Sequence, residues 1–169
     1  MNEGYEEILV KRQKTPKDTL LKGLMIAVVA VLIAAGIFLF NPIFLVLGMV
    51  LGLLAYYLVL PNFDLEYEYL YVGGDIDIDK IMAKRKRKRI ASYSKDNLEV
   101  MAPTGSDHLS DYLRDKKVKD YTSGDPQVKT WTLVYGGEQA AEAVRLELTD
   151  EIAQDMRRFA PRKVFFNHN

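Results

Sequence analysis

No cysteine occurs among the 169 residues. That excludes disulfides, thiolate nucleophiles, cysteine zinc sites and iron–sulfur ligation. Histidine is almost as scarce. His108 and His168 are the only two and lie far apart in the chain, so His-rich metal sites are excluded and His-based catalysis is poorly supplied. Net charge is also missing, with 23 Lys and Arg against 23 Asp and Glu, and the mean hydropathy of −0.09 is unremarkable. The most informative absence is local. Between Thr19 and Phe63 the only Lys, Arg, Asp or Glu is Lys22. The neutral average is therefore the sum of an uncharged middle and two strongly charged flanks.

That middle reads as a transmembrane helical hairpin over residues 19–61. Residues 20–40 form one apolar run, roughly 31 Å long as a helix, close to the hydrocarbon thickness of a bilayer. Asn41-Pro42 breaks it, because proline lacks an N–H and disfavours helical geometry at the residue before it. Residues 43–60 form a second run of roughly 27 Å, ended by Pro61-Asn62. The first run is too long for the apolar region of a cleaved signal peptide and reads as an uncleaved anchor. Lys11, Arg12, Lys14 and Lys17 precede the first helix, whereas the Asn41-Pro42 turn carries no charge. Basic flanks stay on the cytoplasmic side, so both termini are expected in the cytoplasm, with a multi-pass location in the bacterial inner membrane. Gly48 and Gly52 form a GxxxG pair that predicts close helix packing. The expected partner is the first helix, which offers Gly23, Ala27, Ala30 and Ala34; a homo-oligomer contact is the alternative. No Asp, Glu, Arg, His or Asn lies deep in either helix, which argues against a pore or carrier.

Residues 1–18 form an N-terminal cytoplasmic arm. Tyr5, Ile8, Leu9 and Arg12 recur at helical spacing, so the arm is either a short interfacial helix or a frayed terminus ended by Pro16. Residues 62–169 change period. Leu65–Val72 alternates, with Tyr67, Tyr69 and Tyr71 on one face; Gly73-Gly74 follows as a turn. Asp75–Ile81 places Ile76 and Ile78 opposite Asp75, Asp77 and Asp79. Further strands are expected over 89–94, 97–102, 129–135 and 142–148, with a polar excursion over 103–126 and a second turn at Gly136-Gly137. Thr149 or Asp150 caps a helix over 150–160 whose Ile152, Met156 and Phe159 share a face. Val164-Phe165-Phe166 follows as an extra strand or a helix-packing patch. The fold class is thus an α+β membrane protein: a two-helix hairpin, then a small antiparallel sheet or barrel with a C-terminal helix, a layout that resembles the pleckstrin-homology-like superfold.

Three stretches carry a closer resemblance. DLEYEYLYVGGDIDIDKIMAKRKRKRIASY (Asp64 to Tyr93), VKDYTSG (Val118 to Gly124) and APRKVFF (Ala160 to Phe166) are similar to a small family of bacterial two-pass membrane proteins classed as a domain of unknown function. The likeness extends from YEEILVKR (Tyr5 to Arg12) to the tail. It implies the same architecture and a bacterial inner membrane, and it implies no activity or catalytic residues.

The sharpest local feature is six consecutive cations, Lys84, Arg85, Lys86, Arg87, Lys88 and Arg89. In an extended chain the lysines share one face and the arginines the other. One reading pairs them with Glu66, Glu68, Asp75, Asp77 or Asp79 on adjacent strands, or makes them the guard of an edge. The other is attachment to anionic lipid headgroups, where each cation near the surface is worth about 1 kcal/mol; a nucleic-acid partner is not expected, because the domain as a whole is near neutral. Asp75 to Asp79 lacks the glycine and glutamate of a calcium loop, neither glycine pair starts a phosphate loop, and Ser106, Asp107, His108 and Ser110 lack the turn of a hydrolase nucleophile. No metal, cofactor or catalytic residue is assigned. The expected function is a non-enzymatic, membrane-anchored scaffold that contacts anionic headgroups or a protein partner. The alternative is a structural subunit of a membrane complex or homo-oligomer assembled through the hairpin.

Overall fold

Thr15 and Asp18 set the start of the first helix in the computed structural model, which describes residues 4–114, 116–137 and 141–166. Thr15 Oγ1 accepts the Asp18 N–H at 3.2 Å and Asp18 Oδ2 accepts the Thr15 N–H at 3.0 Å. Pro16 takes the first helical position, where a missing N–H costs nothing. Helix α1 (Pro16–Phe38) therefore begins one turn earlier than the apolar run alone suggests. The chain reverses through Phe40, which has a left-handed φ of 50°. Asn41 Oδ1 then accepts the Ile43 N–H at 3.0 Å and caps α2 (Pro42–Leu54). A π-type turn (Ala55–Val59) and a 3₁₀ turn (Leu60–Phe63) prolong the second helix to 22 residues.

The two helices pack antiparallel through small residues. Gly36 faces Leu45, Gly48 faces Ile33 and Gly52 faces Val29. A Cβ added at Gly36 or Gly48 would fall 2.6 Å from Leu45 Cγ or 2.9 Å from Ile33 Cγ1, so each glycine is what permits the approach. Away from this seam the apolar surface faces outward. Only 6% and 11% of the most apolar windows are buried, which excludes core helices of a water-soluble domain and fits a two-pass membrane protein.

The N-terminal arm corrects the expectation of an interfacial helix or frayed end. Tyr5–Lys11 is a strand, β1, paired antiparallel with β2 (Leu65–Val72) from Tyr5↔Val72 to Lys11↔Glu66. The helical spacing does not survive in the fold, where Tyr5 and Leu9 face outward and Ile8 and Val10 face the core. As a helix these residues would make barely two turns, too few to hold without packing. As a strand they bury Val10 and pack Ile8 on the core. The helical pair is consequently the connection between β1 and β2. It is inserted within the domain, whose expected boundary at residue 62 falls one strand too late.

Two compact units result, one comprising Gln13–Leu65 with Met82–Lys86, the other the residues through Arg12, Glu66–Ile81 and those from Arg87 onward. In the second, β1 and β2 continue into β3 (Asp75–Met82) and β4 (Lys86–Tyr93), forming a sheet in sequential order. The β2–β3 turn uses Gly73 and Gly74 at φ 54° and 101°. β5 (Leu98–Pro103), β6 (Val118–Asp120), β7 (Trp131–Tyr135) and β8 (Glu142–Leu146) form a second sheet ordered β5-β7-β8-β6. β6 arises inside the expected polar excursion, which also holds the short helix α3 (Ser110–Leu113), and runs parallel to β8. Its three residues are too few to show a period. Of the β7–β8 connection, where Gly136-Gly137 suggested a hairpin turn, residues 138–140 lie outside the described residues, as do the ends 1–3 and 167–169 of the chain.

Tyr69, Tyr71, Ile76 and Ile78 of the first sheet meet Trp131, Leu133, Val144 and Leu146 of the second in one core. Helix α4 (Asp150–Phe159) adds Ile152, Ala153 and Met156 to it, its N-terminus capped by Thr149 Oγ1, which accepts the Ile152 N–H at 3.3 Å. Phe159, expected inward, instead lies exposed beneath the Lys95 amine. The tail returns to the second sheet, where Val164 is buried beside Met101.

If the membrane helices are only the β1–β2 connection, a two-residue Asn-Gly turn in place of residues 14–63 should give a water-soluble domain with a single cooperative melting transition. A fragment beginning at Pro61 lacks β1 and should bind a hydrophobic dye and unfold without a sharp transition. Equal behaviour of the two in differential scanning calorimetry would contradict this topology.

Candidate functional site

The six cations divide in the folded chain. Ala83 and Lys84 have φ of 48° and 54°, and the Arg85 N–H donates to the Met82 carbonyl at 3.1 Å. Two successive positive φ values with this bond make a type I′ turn, the hairpin turn that matches strand twist. Because neither residue is glycine, asparagine or aspartate, the turn stores backbone strain and leaves no sequence mark. It puts Lys84 and Arg85 at a tip and starts β4 at Lys86.

Arg87 and Arg89 turn onto the outer face of the first sheet. Arg87 bridges Glu68 and Asp79, its Nε lying 2.7 Å from Asp79 Oδ2. Arg89 bridges Asp77 at 2.7 Å and Asp79 at 3.0 Å. Asp79 thus holds one guanidinium on each oxygen. Burial alone would raise its pKa, but hydrogen bonds and charge from Arg87 and Arg89 outweigh burial and hold it below the usual carboxylate range. Glu68 moves the other way: burial pushes its carboxyl up, and a hydrogen bond with Glu7 adds to the shift against the pull of Arg87. The remaining acids of β3 meet β4 and the residues just after it. Asp77 accepts the Ser92 hydroxyl at 2.5 Å, and Asp75 accepts the Ser94 hydroxyl at 3.0 Å and the Lys95 N–H at 2.9 Å.

Lys84, Arg85, Lys86 and Lys88 are exposed and, among the described residues, form no ion pair. The turn is rooted at the helical pair, since the Ala83 N–H donates to the Asp64 carbonyl at 2.8 Å. Asp64 directly follows the 3₁₀ turn that ends the second helix. The antiparallel register of Gly36 with Leu45, Ile33 with Gly48 and Val29 with Gly52, continued to the helix ends, brings Lys17 about level with Asp64. Lys84, Arg85 and Lys86 therefore stand at the charged end of the hairpin, with Lys14 and Lys17.

Gly48 and Gly52 both face α1, yet the residues they meet are Ile33, Leu32 and Val29. The expected partners Gly23, Ala27 and Ala30 are exposed instead, and nothing lies within 4 Å of a Cβ placed at Gly23. Matching small residues across the seam was the wrong rule: a glycine accepts a branched side chain as readily as another glycine.

The other candidates have structural contacts. Ser106 Oγ accepts the His108 N–H at 3.4 Å, Ser110 donates to the Asp107 carbonyl at 2.8 Å, and the His108 ring stacks on Phe165. Tyr69 donates to the Tyr121 carbonyl and Tyr71 to Asp155, each at 2.7 Å. Burial drives both phenols well above their ordinary pKa. Tyr67 meets Tyr121 edge to face. The stripe is sheet core rather than a ligand cage.

Asp79→Asn should lower stability by about 1–3 kcal/mol at pH 7, the range for losing hydrogen bonds to charged groups. A depressed native pKa contributes stability that is complete above the ordinary aspartate value, near 4, and is lost as pH falls through the native value. Melting curves from pH 7 down to 2 should show this loss in the wild type and a shallower acid limb in the variant; parallel curves would contradict the bridging role.

No curated protein and no solved structure matches the chain. A family model does, over residues 2–166, and with it the inserted helical pair, the two sheets and the closing helix find their place: the chain belongs to the family described as the Bacterial PH-like domain (DUF6106).

Proposed function

We propose that the protein is a membrane-anchored, non-enzymatic scaffold whose domain lies on the cytoplasmic face of the bacterial inner membrane and contacts anionic lipid headgroups there. The observation that carries this reading is the Ala83–Asp64 hydrogen bond, which roots Lys84, Arg85 and Lys86 at the end of the helical pair without ion-pair partners among the described residues. Cations at that level meet a negatively charged leaflet, each contributing about 1 kcal/mol, and the tether removes most of the association cost. Pairing of β1 with β2 supports the topology, because strands flanking the two helices can join only on one side of the membrane. The basic flank of α1 and the uncharged Asn41-Pro42 turn support the cytoplasm as that side. The structural contacts of Ser106, Asp107, His108 and Ser110 favour binding over catalysis.

The second reading, assembly of a larger membrane complex through Gly48 and Gly52, has less support, since both glycines already contact α1.

Full-length protein in phosphatidylcholine bilayers should associate preferentially with spin-labelled phosphatidylglycerol over spin-labelled phosphatidylcholine, and the preference should weaken with salt. Changing Lys84, Arg85 and Lys86 to Gln together should remove most of it. Arg87→Gln with Arg89→Gln should lower the melting temperature and leave the preference in place. Equal association of the two lipids with the wild type would contradict headgroup binding.

A further inference from the structure

Four strands form the margins of the two sheets, β1 and β4 in the first, β5 and β6 in the second. An open margin is a template for another chain, and proteins usually guard it with charge, a cover or brevity. β4 carries the cations Lys86 to Arg89. β5 is covered by the tail, where the Met101 N–H donates to the Lys163 carbonyl and the Phe165 N–H to the Met101 carbonyl, both at 2.8 Å. β6 has three residues. β1 is neither short nor covered by another strand among the described residues, and its charges, Glu6, Glu7 and Lys11, leave Tyr5 and Leu9 open between them. It is seven residues long, and its outward side chains include Tyr5 and Leu9, 65% and 59% exposed.

The direction of its backbone groups follows from the ladder. The Gly73 N–H donates to the Gly4 carbonyl at 3.0 Å. In an antiparallel pair, residues bonded to the partner strand alternate with residues that are not. With Gly4 bonded, Glu6, Ile8 and Val10 are bonded too. Tyr5, Glu7 and Leu9 direct their N–H and C=O groups off the sheet, and none of these groups has a partner among the described residues. Beside the start of the strand a cleft of about 260 Å³ separates Gly4, Tyr5 and Glu6 from α4. Glu6 and Glu7 lie along the margin, with Glu151 and Asp155 across the cleft, where Arg158 pairs with Asp155 at 3.5 Å.

We infer that β1 accepts, by strand addition, an extended Lys/Arg-rich segment from the cytoplasmic flank of another membrane protein. The open backbone supplies affinity, and the acidic border selects the sign of the ligand. Such basic segments are concentrated next to membrane helices on the cytoplasmic side, so the inference rests on the placement proposed above. It does not depend on headgroup binding by Lys84, Arg85 and Lys86, which is measured in bilayers holding no second protein.

The test is photocrosslinking of the full-length protein in native membranes, with p-benzoylphenylalanine at Tyr5 or Leu9 and a control at exposed Val128. Adducts from the two β1 positions should exceed the control by at least about fivefold, the equivalent of ~1 kcal/mol. Mass spectrometry should map them to Lys/Arg-rich peptides within about 20 residues of a partner's membrane helix. Leu9→Pro, read from the Tyr5 position, removes an outward N–H that β2 does not use. It should cut the adduct at least fivefold without lowering the melting temperature. Glu7→Lys should do the same by reversing charge. Adducts to lipid alone, to a second copy or to soluble proteins, yields equal to the control, or adducts untouched by both substitutions would overturn the inference. Adducts to segments on the opposite side of the membrane would overturn the cytoplasmic placement itself.

Discussion

Seven backbone pairs between Tyr5–Lys11 and Glu66–Val72 close a loop that contains the whole membrane segment. Without them the first sheet loses its outer strand, Val10 leaves the core and the Tyr67–Tyr71 stripe gains an open flank. With them, the chain leaves the first sheet after Lys11 and rejoins it at Leu65, so the two helices are a single insertion between paired strands. Glycine at 36, 48 and 52 keeps the two helices close, while the capping box at Thr15 and the cap at Asn41 fix where each begins. The hairpin and the domain are therefore two parts of one closed chain path rather than an anchor followed by a cargo.

The charge pattern of the domain follows from the same sheet. β3 presents Asp75, Asp77 and Asp79 on the face opposite Ile76 and Ile78; Arg87, Arg89 and Ser92 of β4 answer, with Ser94 just after the strand. Asp79, almost wholly buried, is tolerable as a charge because two guanidiniums meet its two oxygens. The cations left without acids are those before the strand and on its other face. What looks in the sequence like one basic run is, in the fold, a pair of structural arginines and a separate basic tip.

Much of this was legible from residues alone. Alternation gave β2, β3, β5, β7 and β8 within a few residues, and helical period with Thr149 gave α4, because each of these elements buries one face and exposes the other. The lack of charge from Thr19 to Phe63 gave the helical pair. Pairing of the run with Asp77 and Asp79 was one of two expectations, and the arginines follow it. β1 was not legible, since Tyr5, Ile8 and Leu9 fall at helical spacing, the strand face of Ile8 and Val10 is only two residues, and the deciding partner lies beyond two membrane helices. The type I′ turn was hidden because Ala83 and Lys84 carry none of the usual turn chemistry. β6 was hidden because its pairing is parallel and short. In each case the missing information was long-range, and local propensity could not supply it.

The account stands or falls on the pairing of β1 with β2 in the full-length membrane protein. The absence of native cysteine makes a disulfide test clean. Glu7 and Leu70 face each other at a pair not bonded through the backbone, where Cα atoms lie about 4.5 Å apart, within the span of a disulfide. Glu7→Cys with Leu70→Cys should oxidise completely in native membranes and shift mobility on a non-reducing gel, whereas Leu9→Cys with Val72→Cys, four positions out of register, should remain reduced. No disulfide in the first protein, or equal oxidation of both, would contradict the inserted hairpin.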